Sequence, residues 1–153
     1  MGKQKAYISG ALTVVKEPEM LKGFYEEIGG VCEDVGICPY IPHQHTDPIA
    51  DPDISPEEVY KRDKIEVQSS DLVIAYIGVP SGGGGAELEM AREAGVPIIL
   101  LYEKGRPVSR VARGNPAVIA EICFATFDEA LGALKNFLEE KGGNLNARAE
   151  RVG

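Results

Sequence analysis

Two carboxylates in this chain of 153 residues fall where a helical pattern asks for apolar side chains. Asp63 lies four residues after Val59 and four before Val67, in the middle of an apolar stripe. Glu87 shares its stripe with Met90, Ala91 and Ala94, at offsets of three, four and seven. A buried carboxylate without a partner is costly, so each needs a partner or a task. Two inward carboxylates suit retaining glycoside cleavage, in which one attacks the anomeric carbon and the other serves the leaving group. The structural alternative stands beside it: Asp63 caps a neighbouring loop, and Glu87 complements the dipole at a helix start, as Glu89 and Glu93 do on the outer side.

Directly ahead of Glu87 runs Gly78-Val79-Pro80-Ser81-Gly82-Gly83-Gly84-Gly85-Ala86. Glycines between a strand and a helix leave backbone N–H groups uncovered beside a positive helix end, which suits a phosphate or a close-lying sugar. The plain alternative is a flexible turn. The run fits neither G-x-G-x-x-G nor the P-loop, which needs a Lys-Ser/Thr pair. His43, His45 and Asp47 form an H-x-H-x-D string, but nothing supplies a second cluster of ligands. The expectation is therefore no metal, and a histidine lining a polar pocket. Tyr7 reads as a core aromatic whose hydroxyl needs a partner, and it joins the chemistry if its tip reaches the segment 82–87.

The elements that must hold these residues alternate. Five mostly apolar runs, at 5–9, 37–41, 72–77, 97–102 and 121–125, suit strands covered on both faces. Helical patterns lie between them, at 20–35 behind Pro18, from the Ser55-Pro56-Glu57-Glu58 cap to about Ser70, at 86–94, and after the Thr126-Phe127-Asp128-Glu129 capping box. This order calls for an α/β fold with a doubly wound, five-stranded parallel sheet, expected in strand order 2-1-3-4-5. One domain over 1–141 and a fraying tail over 142–153 are expected. Two long irregular stretches, 42–56 and 105–116, interrupt the scheme. Ligands of such sheets bind beyond the carboxyl ends of the strands, which directs attention to Gly10, Thr13 and His43, then to Ser81, Gly83 and Gly85, and last to Ser109 and Asn115.

Composition narrows the partners. Sixteen Lys and Arg against twenty-four Asp and Glu give a formal charge of −8, and such a field repels polyanions. No nucleic acid and no membrane surface is expected, while a small anion at a helix start remains compatible. The longest near-continuous apolar run, 72–79, is far short of the roughly 20 residues that span a bilayer, and the start MGKQK does not resemble a signal peptide. A cytoplasmic protein is expected. Cys32, Cys38 and Cys123 lack C-x-x-C spacing, which argues against a disulfide framework and a zinc site.

Three segments together carry a resemblance: Tyr7-Ile8-Ser9-Gly10, Asp63 ahead of Ser69-Ser70-Asp71-Leu72-Val73-Ile74-Ala75, and Pro80-Ser81 through the glycines to Ala86-Glu87-Leu88. The chain resembles the nucleoside 2-deoxyribosyltransferase superfamily, and within it the deoxynucleoside 5′-monophosphate N-glycosidase branch. The resemblance implies a flavodoxin-like sheet and an enzyme without a cofactor. It implies that Glu87 attacks C1′ of the sugar, that Asp63 assists departure of the base as an acid, and that Tyr7 orients Glu87. Ser81 matches a serine that holds the 5′-phosphate. Ser109 matches one delivered by the neighbouring subunit of a homodimer or an assembly of dimers, with Asn115 beside it. Where the branch has a Ser and an Arg shortly after the first strand, this chain has Ala11 and Thr13. The implied reaction is cleavage of the N-glycosidic bond of a nucleoside 5′-monophosphate through a glycosyl ester on Glu87. The alternatives are base exchange on unphosphorylated deoxynucleosides, with Thr13 near a free 5′-hydroxyl, and a non-catalytic nucleotide-binding module.

Overall fold

The computed structural model describes residues 2–13, 15–142 and 145. Its elements are β1 (Lys5–Ser9), α1 (Pro18–Asp34), β2 (Cys38–Tyr40), α2 (His43–Thr46), α3 (Pro56–Gln68), β3 (Leu72–Tyr76), α4 (Gly82–Glu93), β4 (Ile98–Glu103), α5 (Arg110–Arg113), β5 (Val118–Phe124) and α6 (Phe127–Lys141). The five strands pair in parallel in the order β2-β1-β3-β4-β5, the flavodoxin-like arrangement expected from the element order. The expected tail lies outside the described residues, apart from Gly142 and Leu145.

Alternation along the strands divides the core. Ala6 and Ile8 of β1, Leu72, Ile74 and Tyr76 of β3, and Ile99 and Leu101 of β4 face α1 and α6. Tyr7, Val73, Ala75, Ile98 and Leu100 face the opposite way, against Val67 of α3 and Leu88, Met90 and Ala91 of α4. The one-residue offset puts Tyr7 and Ser9 on the α3–α4 side, and register pairs them with Val73 and Ala75 on β3. Helix α1 starts with Pro18 at its first position and buries Leu21, Phe24, Tyr25 and Ile28.

Two boundaries depart from the sequence pattern by three residues or more. Helix α4 begins at Gly82, four residues earlier than Ala86, so the glycine run is the first helical turn and not a loop. Glycine is a poor helix former, yet Ser81 offsets the deficit by accepting a hydrogen bond from Gly84 N at 3.0 Å. Strand β5 begins at Val118, three residues before Glu121. Glu121, the residue at which the sequence pattern starts this strand, is only 2% exposed and takes Arg113 Nε at 2.6 Å and the Tyr102 hydroxyl at 3.2 Å. The two irregular stretches hold the short helices α2 and α5.

Gly10, at the exit of β1, has no room for a side chain. A Cβ there would stand 2.3 Å from Cζ of Tyr25, whose hydroxyl donates to Ala11 O at 3.0 Å. Gly10→Ala is expected to displace Tyr25 and lower stability by about 1–3 kcal/mol, read as a lower urea midpoint at constant slope. An unchanged midpoint would show that the Tyr25 contact yields without cost.

Candidate active site

Helix α4 aims its N-terminus across the carboxyl edge of β1 and β3, and Glu87 is its sixth residue. The side chain is 8% exposed. It is held from two sides by β1: the Tyr7 hydroxyl donates to Oε2, and Ser9 Oγ donates to Oε1 at 2.9 Å. Burial pushes the Glu87 carboxyl up to about 7, the neighbouring Asp63 charge adds to this, and the Tyr7 and Ser9 hydrogen bonds act against it. Tyr7 is fully buried, and burial together with the Glu87 charge lifts its hydroxyl far above the ordinary tyrosine range. Tyr7 therefore stays a donor.

Asp63 comes from α3, which opens with Ser55 Oγ accepting from Glu58 N at 3.2 Å and Pro56 in its first turn. Val67 is the one fully buried residue of this helix, which leans on α4 through Gln68 Nε2 to Met90 O at 3.2 Å. The Asp63 side chain is half-buried, and its Oδ1 meets no hydrogen-bonding group among the described residues. Burial, then the Glu66 charge, raises this carboxyl to about 6. Both carboxyls are thus raised above the usual carboxylate range, and the Asp63 charge contributes to the rise at Glu87.

Both acids line a cavity of about 720 Å³, together with Gly10, Thr13, Ser81 and Gly83. Its far wall is largely apolar, with Ile54, Val59 and Tyr60, and no Lys or Arg among the described residues lines it. At Gly82 a Cβ would meet nothing within 4 Å, so packing does not demand the glycine there. Of the first-turn N–H groups, that of Gly84 is taken by Ser81, and those of Gly82 and Gly83, beside the cavity, suit an oxygen-rich ligand.

Other sequence-derived residues fall elsewhere. Gly85, Ser109 and Asn115 line a second, adjoining cavity of about 990 Å³, which shares Pro80, Ser81, Gly82 and Gly84 with the first and also takes in Ser9. Ser109 caps α5 by accepting from Ala112 N at 3.2 Å, and Asn115 Nδ2 donates to Leu88 O at 3.2 Å. His43 does not line the Glu87 cavity: Nε2 pairs with Glu26 of α1 at 2.9 Å, because residues 43–46 coil into α2. His45 stacks on Tyr40 at 4.5 Å, and Asp47 pairs with Lys22 at 2.5 Å, so the H-x-H-x-D string is dispersed. Ser9 was not among the residues singled out for chemistry, although strand alternation puts it on the same face as Tyr7.

No protein-family model matches the chain. A Methanosarcina barkeri protein assigned the name 2′-deoxynucleoside 5′-phosphate N-hydrolase 1 is 30% identical over 119 residues, which span 73% of this chain and 70% of that protein. One of the same name from Syntrophotalea carbinolica is 34% identical over 84 residues, 54% of this chain; the match spans 58% of that relative's length. Among solved structures, a CMP N-glycosidase of Clostridium botulinum superposes with a TM-score of 0.68 at 23% identity, over 88% of this chain and 99% of its own. A 2-deoxyribosyltransferase of Bacillus psychrosaccharolyticus superposes with a TM-score of 0.61 at 19% identity, over 85% and 95% of the two chains. At these identities the two superpositions speak to the fold.

The donors and the neighbouring charge around Glu87 make opposite demands on its proton. Tyr7→Phe is expected to raise the Glu87 titration above about 7, and Asp63→Asn to lower it, because one removes a donor and the other a negative charge. Carbon-13 carboxyl chemical shifts followed against pH read both. Shifts in the reverse directions would dissolve the pairing.

Proposed function

The chain belongs to the 2′-deoxynucleoside 5′-phosphate N-hydrolase family, and on that premise we propose that it hydrolyses the N-glycosidic bond of a nucleoside 5′-monophosphate through a glycosyl ester on Glu87. The observation that carries the reading is Glu87 gripped by Tyr7 and Ser9 with the unpartnered Asp63 oxygen in the same cavity. In the first step a Glu87 oxygen bonds to C1′ while the C1′–N bond breaks. Its electron pair leaves with the base, which takes a proton from Asp63. In the second step water attacks C1′, Asp63 removes the water's proton, and the Glu87 carboxylate departs. Free base and sugar 5-phosphate result.

The protonation states follow from the same groups. Burial raises both carboxyls, so a proton is held in this site more readily than by free carboxylates. A bound base offers Asp63 an acceptor, while Tyr7 and Ser9 donate to both Glu87 oxygens, and both influences draw the proton toward Asp63. The phosphate is read as lying at the start of α4, against the Gly82 and Gly83 N–H groups, with the Ser81 and Thr13 hydroxyls in reach of the same cavity. One observation favours the transferase reading. No Lys or Arg of the described residues lines this cavity.

A panel of nucleosides and their 5′-monophosphates, with base release followed by chromatography, tests the reading. Free base is expected from a monophosphate, with kcat/KM modestly above that of its nucleoside and greatest between about pH 6 and 7. Glu87→Ala is expected to lose about 10³-fold or more. No release from any substrate favours a nucleotide-binding module, and a preference for the nucleoside moves the chain to the transferase branch.

The second cavity supports a symmetric homodimer, in which Ser109 of one protomer serves the phosphate end of its partner's site. Ser109 lines this second cavity and not the one that Glu87 lines, and Val111 of α5 is 86% exposed. Light scattering is expected to give twice the chain mass, and a fully active monomer would end the proposal.

A further inference from the structure

The nucleophile's donor is itself supported by a column of rings. Tyr40, on the three-residue edge strand β2, is in register with Tyr7 on β1. The two rings stack with centroids 5.5 Å apart and planes within 17°. On Tyr40 lies His45 of α2, with centroids 4.5 Å apart and planes within 6°. Lys5 Nζ also approaches the Tyr40 ring, at 5.4 Å from its centroid; the same ammonium pairs with Glu66 and donates to Ser69 Oγ at 3.2 Å. The column thus runs from the exposed His45 through the half-buried Tyr40 to the fully buried Tyr7, and the Tyr7 hydroxyl ends on Glu87.

A tyrosine hydroxyl is carried on a rigid ring, so its direction is set by whatever fixes the ring plane. On its β3 side Tyr7 is paired with Val73, which fills space without dictating a ring angle. An aromatic face does dictate one, since stacked rings favour offset, near-parallel planes. We propose that Tyr40 is a positioning residue: stacked on His45 and approached by Lys5, it fixes the ring plane of Tyr7 and so aims the hydroxyl that orients Glu87. A misplacement of about 1 Å at a reacting group costs roughly 10²-fold in rate, so a ring that is free to rock leaves the nucleophile poorly aimed. The inference rests on the reading of Glu87 as nucleophile for its kinetic consequence, although the ring geometry stands without it.

The test uses the full chain with Tyr40→Leu, Tyr40→Phe and His45→Ala, each checked for folding by thermal melting. Two quantities are read: the carbon-13 titration of the Glu87 carboxyl, and kcat and KM for base release from a nucleoside monophosphate. Tyr40→Leu is expected to move the Glu87 titration upward and to lower kcat by about 10- to 10²-fold with KM little changed. Tyr40→Phe, which keeps the ring, restores both. His45→Ala, at an exposed position, moves both in the same direction by less, and it serves if Tyr40→Leu does not fold. Unchanged titration and kcat in Tyr40→Leu, or Tyr40→Phe as impaired as Tyr40→Leu, would overturn the proposal. If the unaltered protein releases no base, the catalytic reading falls, and the titration alone decides whether the column positions Tyr7.

Discussion

The hydrogen bond from Tyr7 on β1 to Glu87 on α4 joins residues eighty positions apart, and the organisation of the site depends on it. A carboxylate this deeply buried would otherwise take up a proton and lose its nucleophilicity. Tyr7 and Ser9 supply a donor to each oxygen, and both come from the same face of one strand. That arrangement requires β1 to lie beside β3 at the centre of the sheet, with α4 starting at the β3 edge. The 2-1-3-4-5 order provides this: the crevice opens where the connections turn from one face of the sheet to the other.

On the proposed reading, the start of α4 has two tasks. It must bring Glu87 to the strand edge, and it must leave bare backbone for an anionic ligand. Four consecutive glycines are poor material for a helix, and the Ser81 cap makes the turn possible. The net charge of −8 does not oppose such a site, because N–H groups at close range act locally while the charge of the whole protein is screened within about a Debye length.

The sheet was legible in the sequence because its strands are covered on both faces and read as nearly unbroken apolar runs. Asp63 and Glu87 were legible for the opposite reason, as charges interrupting helical stripes. The glycine turn was read as a loop because intrinsic propensity argues against a helix there, and a single serine cap outweighs it. His43 was expected in the pocket because it follows a strand, but the next residues coil and turn its ring onto Glu26. Glu121, with Arg113 and Tyr102, lay hidden because the group assembles across β4 and β5, where the register shifts between Ile98 and Ile99. Spacing along one strand cannot report that shift. The placement of Ser109 and Asn115 in the second cavity likewise depends on how α5 folds back, which local pattern does not encode.

The central claim is that Glu87 bonds covalently to the sugar. Rapid quenching during turnover of a nucleoside 5′-monophosphate, followed by mass spectrometry of the protein and its peptides, tests it most directly. The account predicts a sugar-phosphate adduct on the peptide carrying Glu87, formed with a burst of free base and absent in Glu87→Ala. Steady base release with no adduct, and with inversion at C1′, would instead mean direct displacement by water and would contradict it.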